Sequence, residues 1–465
     1  MDWLDEANGA VDFGYDATES TPRRKTPKKT VQAEDRELNK IGRKTLQATA
    51  RDIRRNEVTA RWTISKHIDF VSQHNFQPNT GNEQLNDLLR DFYRFASKKE
   101  NFDISGRYGL DKYMALAESA RVVDGDFLSL RLRGGYIQAV ESDRIRDPEM
   151  FSSEPMQSTY DNPQNGWVQG VKIDSTGRPK TFAVHKRVQS GFEFERYVNA
   201  RRCIWFGYWD RFDQTRGISP LASVINTIKD LNESYDYALA KSKVAQLFAL
   251  SITRDAQWGM QDEFDNENSS PEREINFDAP QILDLDAGEE AKFLSNNTPE
   301  ADTQAFWQDM TGLVLKSLNI PYSFWNESFT NFNGSRTALI LYLRSVEKWR
   351  RDQVEWRDDW FSWRLKVAVL KGEIQLPADF VIDPSNWHWV PTGIQYWDAM
   401  KEASADEKLI EIGLRSRTEI RRERFGDEWA DVAMKLAEEK ALLDELGLSP
   451  QEVDNQEPKE SEDGK

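Results

Sequence analysis

The chain has 465 residues, 38 % hydrophobic and 30 % charged with 16 Trp, a balance that predicts two to four domains with much surface. Its net charge of −17 excludes coating nucleic acid through a general basic surface. A single cysteine, Cys203, excludes an intramolecular disulfide framework, and no apolar run approaches the roughly 18 residues of a membrane span.

Residues 1–35 read as a mobile arm. Their start, MDWLDEANGAVDFGYD, is acidic and lacks the basic and apolar regions of a signal peptide. TPRRKTPKKT then brings Pro and clustered cations with little to bury, so a solvated tail is expected, with contact to DNA or an acidic partner as a second reading. From 35 to 76 the apolar positions Leu38, Ile41, Leu46, Ala50, Ile53, Val58, Trp62, Ile64 and Val71 predict helix. His67 and His74 stand without further ligand-type residues at usable spacing and read as structural. Helices are also expected over 83–98, after the turn NTGN, and over 110–120.

The period then changes to two. RVVDGDFLSLRLRGGYIQAV predicts a β-hairpin turning at Gly134-Gly135. GWVQGVKIDSTGRPKTFAVH predicts a second, with WVQGVKID and KTFAVH as its strands. RRCIWF supplies a last strand, so 120–210 forms a mostly antiparallel β module, and Cys203 inside it reads as a small buried hydrophobe.

The stretch 217–247 organises the rest. Ser219 before Pro220 fits an N-cap followed by Pro at the first helical position. Leu221, Val224, Ile225, Ile228, Leu231, Tyr235, Ala238, Leu239, Ser242 and Ala245 then make one helical stripe. The other face carries Lys229, Asp230, Glu233, Asp236, Lys241 and Lys243. Over 248–298, strand-like ends (FALSIT and QILDLDAGEEAKFL) flank an acidic middle with Asp262, Glu263, Asp265, Glu267, Glu272, Glu274 and Asp278. Clustered carboxylates raise the question of Mg²⁺ or Ca²⁺, but the spacing fits no EF-hand loop and no base joins it, so a solvated acidic face is expected.

A second amphipathic helix is expected over 299–318, with Phe306, Met310, Leu313, Val314 and Leu318 on one face. YSFWNESFTNFNGSR has aromatics and Asn but no period, which reads as an exposed functional loop. Ser335 then opens a long helix to about Leu370. Leu339, Tyr342, Val346, Trp349, Gln353, Trp356, Trp360, Trp363, Val367 and Leu370 recur near every 3.5 residues, a core or subunit-packing stripe. Past Pro377 an extended piece places His388 between Trp387 and Trp389 as packing. Three helices close the chain: 396–412, one opened by a Ser416/Glu419 capping box, and one capped by Asp427 that ends at Gly447. Residues 448–465 are acidic and read as disordered.

In this order the segments resemble the portal proteins of tailed bacteriophages, in their lambda-type branch, from about 38 to 447. The resemblance is carried by RDIRRNEVTARWTI, by SARVVDGDFLSLRLRGGYIQAVESDRIRDP, by GWVQGVKIDSTGRPKTFAVH, and by QTRGISPLASVINTIKDLNESYDYALAKSKVAQLFALSIT. It continues in TNFNGSRTALI and in DAMKEASADEKLIEIGLRSRTEIRRERFGDEW. It implies a mainly helical α+β subunit. Its parts would be an arm (1–35), a wing of antiparallel β plus helices (36–216), stem helices (217–247 and 299–318) and a small α/β clip (248–298). The rest would be a tunnel loop (319–334), a wing return (335–394), a helical crown (395–447) and a tail (448–465).

The resemblance further implies a homo-oligomeric ring, usually of twelve subunits, at one capsid vertex beside the major capsid protein. It implies a non-enzymatic channel for packaging and ejecting double-stranded DNA, with no cofactor and no membrane. The ring would assemble in the host cytoplasm, dock the large terminase subunit and a head–tail adaptor, and reside in the virion. Candidate DNA-facing residues are then Asn326, Phe329, Asn331, Phe332, Asn333 and Arg336 in the loop, and Lys229, Lys241 and Lys243 on the stem. Asp262, Glu263, Asp265, Glu267, Glu272 and Glu274 would face the terminase and adaptor. Sparse cations suit a conduit, because many Lys/Arg–phosphate contacts hold DNA tightly, whereas Asn and Phe touch its backbone without strong charge. Two other readings stay open: a different head–tail connector or scaffold ring, and a metal-dependent nuclease using the acidic segment. No P-loop, GxSxG, HExxH or CxxC pattern supports an enzyme.

Overall fold

The computed structural model describes residues 33–148, 166–189, 191–247, 250–254, 289–293, 301–326, 332–393 and 399–447. The expectations for residues 1–32, for the acidic residues of 262–278, for Phe329 and Asn331, and for 448–465 lie outside these. The chain begins with helices α1 (Glu34–Glu37), α2 (Lys40–Asn56) and α3 (Val58–Val71), then strand β1 (His74–Pro78). Helices α4 (Glu83–Ala96), α5 (Lys99–Phe102) and α6 (Leu110–Asp124) follow. Seven strands come next: β2 (Asp126–Arg131), β3 (Ile137–Glu141), β4 (Trp167–Val168), β5 (Val171–Ile173), β6 (Pro179–Val188), β7 (Gly191–Asn199) and β8 (Cys203–Gly207). Then come α7 (Ile225–Leu247), β9 (Leu250–Arg254), β10 (Glu289–Phe293), α8 (Ala301–Lys316), α9 (Tyr322–Trp325) and α10 (Phe332–Lys371). Strand β11 (Trp387–Pro391) and helices α11 (Ala399–Glu411), α12 (Arg417–Arg424) and α13 (Trp429–Glu445) complete the described residues.

These elements form two compact units. One holds the residues up to Thr49, Val71–Pro220 and those from Lys348; the other holds Ala50–Phe70 and Leu221–Glu347. The first unit is layered around β2, which pairs antiparallel with β3 on one side and β8 on the other. Because β2 is buried on both faces, it reads FLSL and not as strict alternation. Phe127 faces a helical core with Tyr113, Trp356 and Trp360, while Leu128 and Leu130 face Val171, Phe182 and Val184 of the sheet β4-β5-β6-β7. Ser129, the polar exception, accepts from Tyr113 Oη at 2.9 Å and Trp356 Nε1 at 3.2 Å, so no buried polar group is stranded there.

Several expectations change here. The helix expected over 35–76 is three helices and a strand. His74–Pro78 pairs antiparallel with Trp387–Pro391, which joins Phe76 to Trp389 across the pair. WVQGVKID is two short strands, because Gln169 and Gly170 take left-handed backbone angles. A Cβ at Gly170 would lie 2.5 Å from the Arg146 nitrogen, so the turn needs glycine. β7, not expected from its mixed charged and aromatic sequence, pairs with β6 along its length. Cys203 sits on β8, and burial pushes its thiol up to about 12, as suits an inert packing cysteine.

The Ser219 hydroxyl donates to the Val122 carbonyl at 2.6 Å. The next turn, Pro220–Ser223, is a 3₁₀ turn, and the α-helix starts at Ile225. Ser335, the expected opener of the long helix, is buried inside α10, which starts at Phe332. The aromatic stripe on α10 is core as far as Trp360, but Leu370 is 87 % exposed, while Arg357, Phe361, Arg364 and Leu365 form an additional buried seam. Asp358 explains part of it: its carboxylate accepts from Trp387 Nε1 at 2.8 Å and Trp389 Nε1 at 2.7 Å, pinning β11 to α10. The Ser416/Glu419 capping box is present. Asp427 does not cap α13. Its carboxylate pairs with Arg421, and Glu428 stands at the N-cap.

Candidate functional site

The candidate residues belong to the second unit. In α7 and the turn before it, the first half of the expected stripe is core: Leu221, Val224, Ile225, Ile228 and Leu231 are buried. The second half is not. Tyr235, Tyr237 and Leu239 are 41 %, 67 % and 54 % exposed. On α8 the buried positions are Thr311, Val314 and Leu315, with Leu318 just beyond its end, while Phe306 and Leu313 are 54 % and 60 % exposed. The face expected to hold Phe306 and Leu313 with Val314 is therefore divided. Periodicity reports an apolar stripe wider than the one neighbour that covers it.

The two helices pack on each other. The Tyr235 and Trp307 ring centroids lie 4.5 Å apart, and Trp307 Nε1 donates to Ser234 Oγ at 2.8 Å. The chain leaves on β9 and returns on β10, antiparallel, with Leu250 opposite Phe293 and Arg254 opposite Glu289. The described backbone here is two packed helices and an antiparallel strand pair.

Lys229, Lys241 and Lys243 are all exposed on α7. Helical geometry brings only two of them onto one line. At 3.6 residues per turn, Lys229 and Lys243 lie within about 40° of each other, and Lys241 is turned about 120° from Lys229. Asp230, Glu233 and Asp236 are exposed on the same helix, so the surface carries both signs. Glu233 also accepts a hydrogen bond from Tyr237 Oη at 2.8 Å.

The expected loop is shorter than the sequence suggests. Asn319 takes a left-handed angle, φ 57°, after α8, and the Ile320 nitrogen donates back to the Leu315 carbonyl at 3.0 Å, a helix-stop geometry that Asn tolerates. Tyr322–Trp325 then makes one helical turn. Asn326, half-buried, ends that turn by donating its backbone N–H to the Tyr322 carbonyl. Phe332 and Asn333 lie in the first turn of α10, and Arg336 is half-buried one turn on. Among the described residues no group of three or more His, Cys, Asp or Glu could hold a metal ion, and no helix is long and apolar enough to cross a membrane.

A family model described as "Phage portal protein, lambda family" matches residues 21–350. A curated relative, the "Probable portal protein" of Halomonas phage phiHAP-1, is 22 % identical over 396 residues, covering 79 % of this chain and 72 % of its own. Among solved structures, the chain is similar to one from the virion of a native gene transfer agent particle, at 12 % identity and a TM-score of 0.47, over 82 % of this chain and 98 % of that one. It is also similar to one from the neck of the empty particle computed with C6 symmetry, at 10 % identity and a TM-score of 0.49, over 80 % and 92 %. A third, from the neck of the native particle computed with C12 symmetry, gives 12 % identity and a TM-score of 0.48 over 82 % and 98 %. With the family match spanning most of its length, this mainly helical α+β chain belongs to the lambda family of phage portal proteins, which are structural and not enzymatic.

Proposed function

We propose that the chain is the repeating subunit of a closed ring, of about twelve copies, at one vertex of a phage capsid beside the major capsid protein. Double-stranded DNA enters and leaves through the ring's axis. In this reading α7 and α8 are the stem, and the segment between them is a clip whose carboxylates, Asp262, Glu263, Asp265, Glu267, Glu272 and Glu274, face the large terminase subunit and later the head–tail adaptor. The ring forms in the host cytoplasm and stays in the virion.

The observation that carries this reading is the half-covered helix pair. Tyr235, Tyr237, Leu239, Phe306 and Leu313 all stand exposed on two adjacent helices. Fully burying such a side chain contributes about 1.5–3 kcal/mol, which a lone subunit forgoes and a ring neighbour supplies. A head-to-tail contact repeated by rotation closes into a ring without self-complementary faces.

The surface chemistry suits transport over binding. Lys229 and Lys243 share one line of α7 among Asp230, Glu233 and Asp236, and Lys241 lies elsewhere on the helix. So thin a row of cations neutralises few phosphates, which keeps DNA mobile. Asn326, Phe329, Asn331, Phe332, Asn333 and Arg336 are the loop residues that touch the passing duplex. Negative-stain imaging and native mass spectrometry of the purified chain test the proposal. Rings with a central hole are expected; a monomer at every concentration overturns it.

A further inference from the structure

The sheet β4-β5-β6-β7 has one face in the core, where Val171, Phe182, Val184 and Val198 pack with Leu128, Leu130 and Val140. Side chains directly opposite on paired strands share a face, so the register puts Trp167, Lys172, Thr181 and Asn199 in one row of the outer face. Tyr197 and Phe194 follow along β7, opposite Ala183 and His185. Three residues apart, they would point to opposite faces of a regular strand. The register shift between Val184 and His185 adds a residue to β7 and returns Phe194 to the side of Tyr197. Ring centroids then lie 5.7 Å apart for Trp167 and Tyr197, 4.6 Å for Tyr197 and Phe194, and 5.6 Å for Phe194 and His185. Phe194 and Tyr197 are 39 % and 48 % exposed, on the strand that ends the sheet.

Cations border these rings. Residues 166–202 hold eight Lys/Arg against three Asp/Glu. Lys172 on β5, Arg178 in the β5–β6 turn, and Arg201 and Arg202 in the 3₁₀ turn after β7 are exposed, and none of the four makes an ion pair among the described residues. Thr181 opposite Asn199 sets the β5–β6 turn beside the end of β7, so the four gather at one end of the sheet.

Such a surface fits a partner with the reverse chemistry, aromatic side chains among carboxylates. Residues 1–16, MDWLDEANGAVDFGYD, have five Asp/Glu, no Lys/Arg, and Trp3, Leu4, Val11, Phe13 and Tyr15 as anchors. Val11, Phe13 and Tyr15 alternate with Asp12, Gly14 and Asp16, which in an extended segment sets the apolar groups on one side. The described chain enters beside the sheet: the Leu38 carbonyl accepts from Gln169 Nε2 at 2.7 Å, in the turn joining β4 to β5. Residues 17–32 reach up to about 50 Å when extended, against about 30 Å for the length of β7. A tether of that reach gives a local concentration on the order of millimolar, which favours the sheet of the same chain over that of another copy.

We propose that residues 1–16 dock on the outer face of this sheet in their own chain. Their aromatic side chains lie against Phe194 and Tyr197, and their carboxylates meet Lys172, Arg178, Arg201 and Arg202. The intervening Arg23, Arg24, Lys25, Lys28 and Lys29 offer charge without rings, so the aromatic contacts decide where the acidic segment settles.

The test is zero-length carbodiimide coupling of the full-length chain, which joins a carboxylate to an amine in contact, read by mass spectrometry. Links from the carboxylates of residues 1–16 to Lys172 are expected, confined to single chains when isotopically light and heavy chains are mixed. Trp3→Ala, Phe13→Ala and Tyr15→Ala together should lower the yield of these links about tenfold, with the sheet's own sequence untouched. Tyr197→Ser, checked for parent-like circular dichroism, should lower it similarly. Links confined to Lys25, Lys28 and Lys29, the product of a purely electrostatic fold-back, overturn the proposal. So do links to Lys172 at the parent yield in the triple variant, links that join light to heavy chains, and the absence of any link.

Discussion

Arg216 grips Asp126 through two nitrogens, Nε to Oδ2 at 2.6 Å and Nη2 to Oδ1 at 2.8 Å, with both side chains buried. The same guanidinium donates to the carbonyls of Ser142, Ile145 and Gln169, and Arg43 Nη2 approaches Asp126 at 3.2 Å. One carboxylate thus ties together α2, the start of β2, the β3 end and the lead into α7. Arg216→Ala leaves the buried Asp126 with Arg43 as its cation and only the Ser142 hydroxyl and Gly217 N–H as further donors, and removing one partner of a buried pair costs about 3–5 kcal/mol. A clearly lowered unfolding midpoint by scanning calorimetry is the expected result. Arg216→Lys should fail to restore it, since a point charge cannot serve both carboxylate oxygens and three carbonyls.

Acid should weaken the first unit in two stages. Burial, followed by the charges of Arg357 and Arg350, lowers His74 to about 3 from 6.5. The unfolded chain then binds a proton that the folded chain refuses, so this contribution is complete above pH 6.5 and is lost as pH falls from there toward 3. Burial alone would raise Asp126, but Arg216 and Arg43 outweigh it and hold the carboxyl at about 2. Its contribution is present above the unfolded value of 3.8 and disappears as pH falls through 2. His74→Gln should therefore flatten the melting temperature between pH 6.5 and about 4.5 and leave the steeper loss below pH 4. A variant with the parent's slope in the upper window contradicts the assignment.

Gly125 and Gly217 touch through their backbones. A Cβ on Gly217 would lie 2.2 Å from the Gly125 carbonyl oxygen, and one on Gly125, whose own φ is +93°, would lie 2.3 Å from the Gly217 carbonyl oxygen. Neither clash can be relieved by a flexible side chain. Gly217→Ala is expected to cost at least the roughly 1–3 kcal/mol of an overpacked core and to show as low soluble yield or a lowered melting temperature. Parent-like stability would mean that the two backbones lie farther apart.

Ala238→Pro places a ring in the interior of α7, removing a backbone donor and kinking the helix at a cost of about 3 kcal/mol. Because Tyr235, Tyr237 and Leu239 lie on this half of the helix, assembly should suffer more than the fold of the first unit. Light scattering should find dispersed subunits with normal near-ultraviolet circular dichroism from the tryptophan-rich core. Intact rings from this variant would remove the stem role from α7.

Much of the helical layout is legible in the residues themselves. The Ser416/Glu419 box and the Gly134-Gly135 turn are local, so short spacing suffices to find them. What escapes sequence is contact between distant segments. His74–Pro78 becomes a strand because Trp387–Pro391 lies beside it, and five residues hold no period that says so. The ring contacts of Trp62 with Trp325 and of Phe70 with Phe324 are equally remote. On α8 the sequence shows an apolar stripe but not which part of it has a neighbour, so Phe306 and Leu313 look like core and are exposed.

The core of the first unit has an order of supply written into the chain. Phe127, Tyr113 and Phe92 pack with Trp356, Trp360, Phe361 and Leu365, so early strands and helices close only on a late helix. About 230 residues separate Phe127 from Trp360, which the ribosome needs some tens of seconds to add. Until then the nascent β2 strand lacks one of its two covers, and its Phe127 and Ser129 face is open to binding by chaperones or by other growing chains. The first unit therefore closes its core only after α10 has been made, and a chain cut short before Trp356 should expose β2 instead of folding.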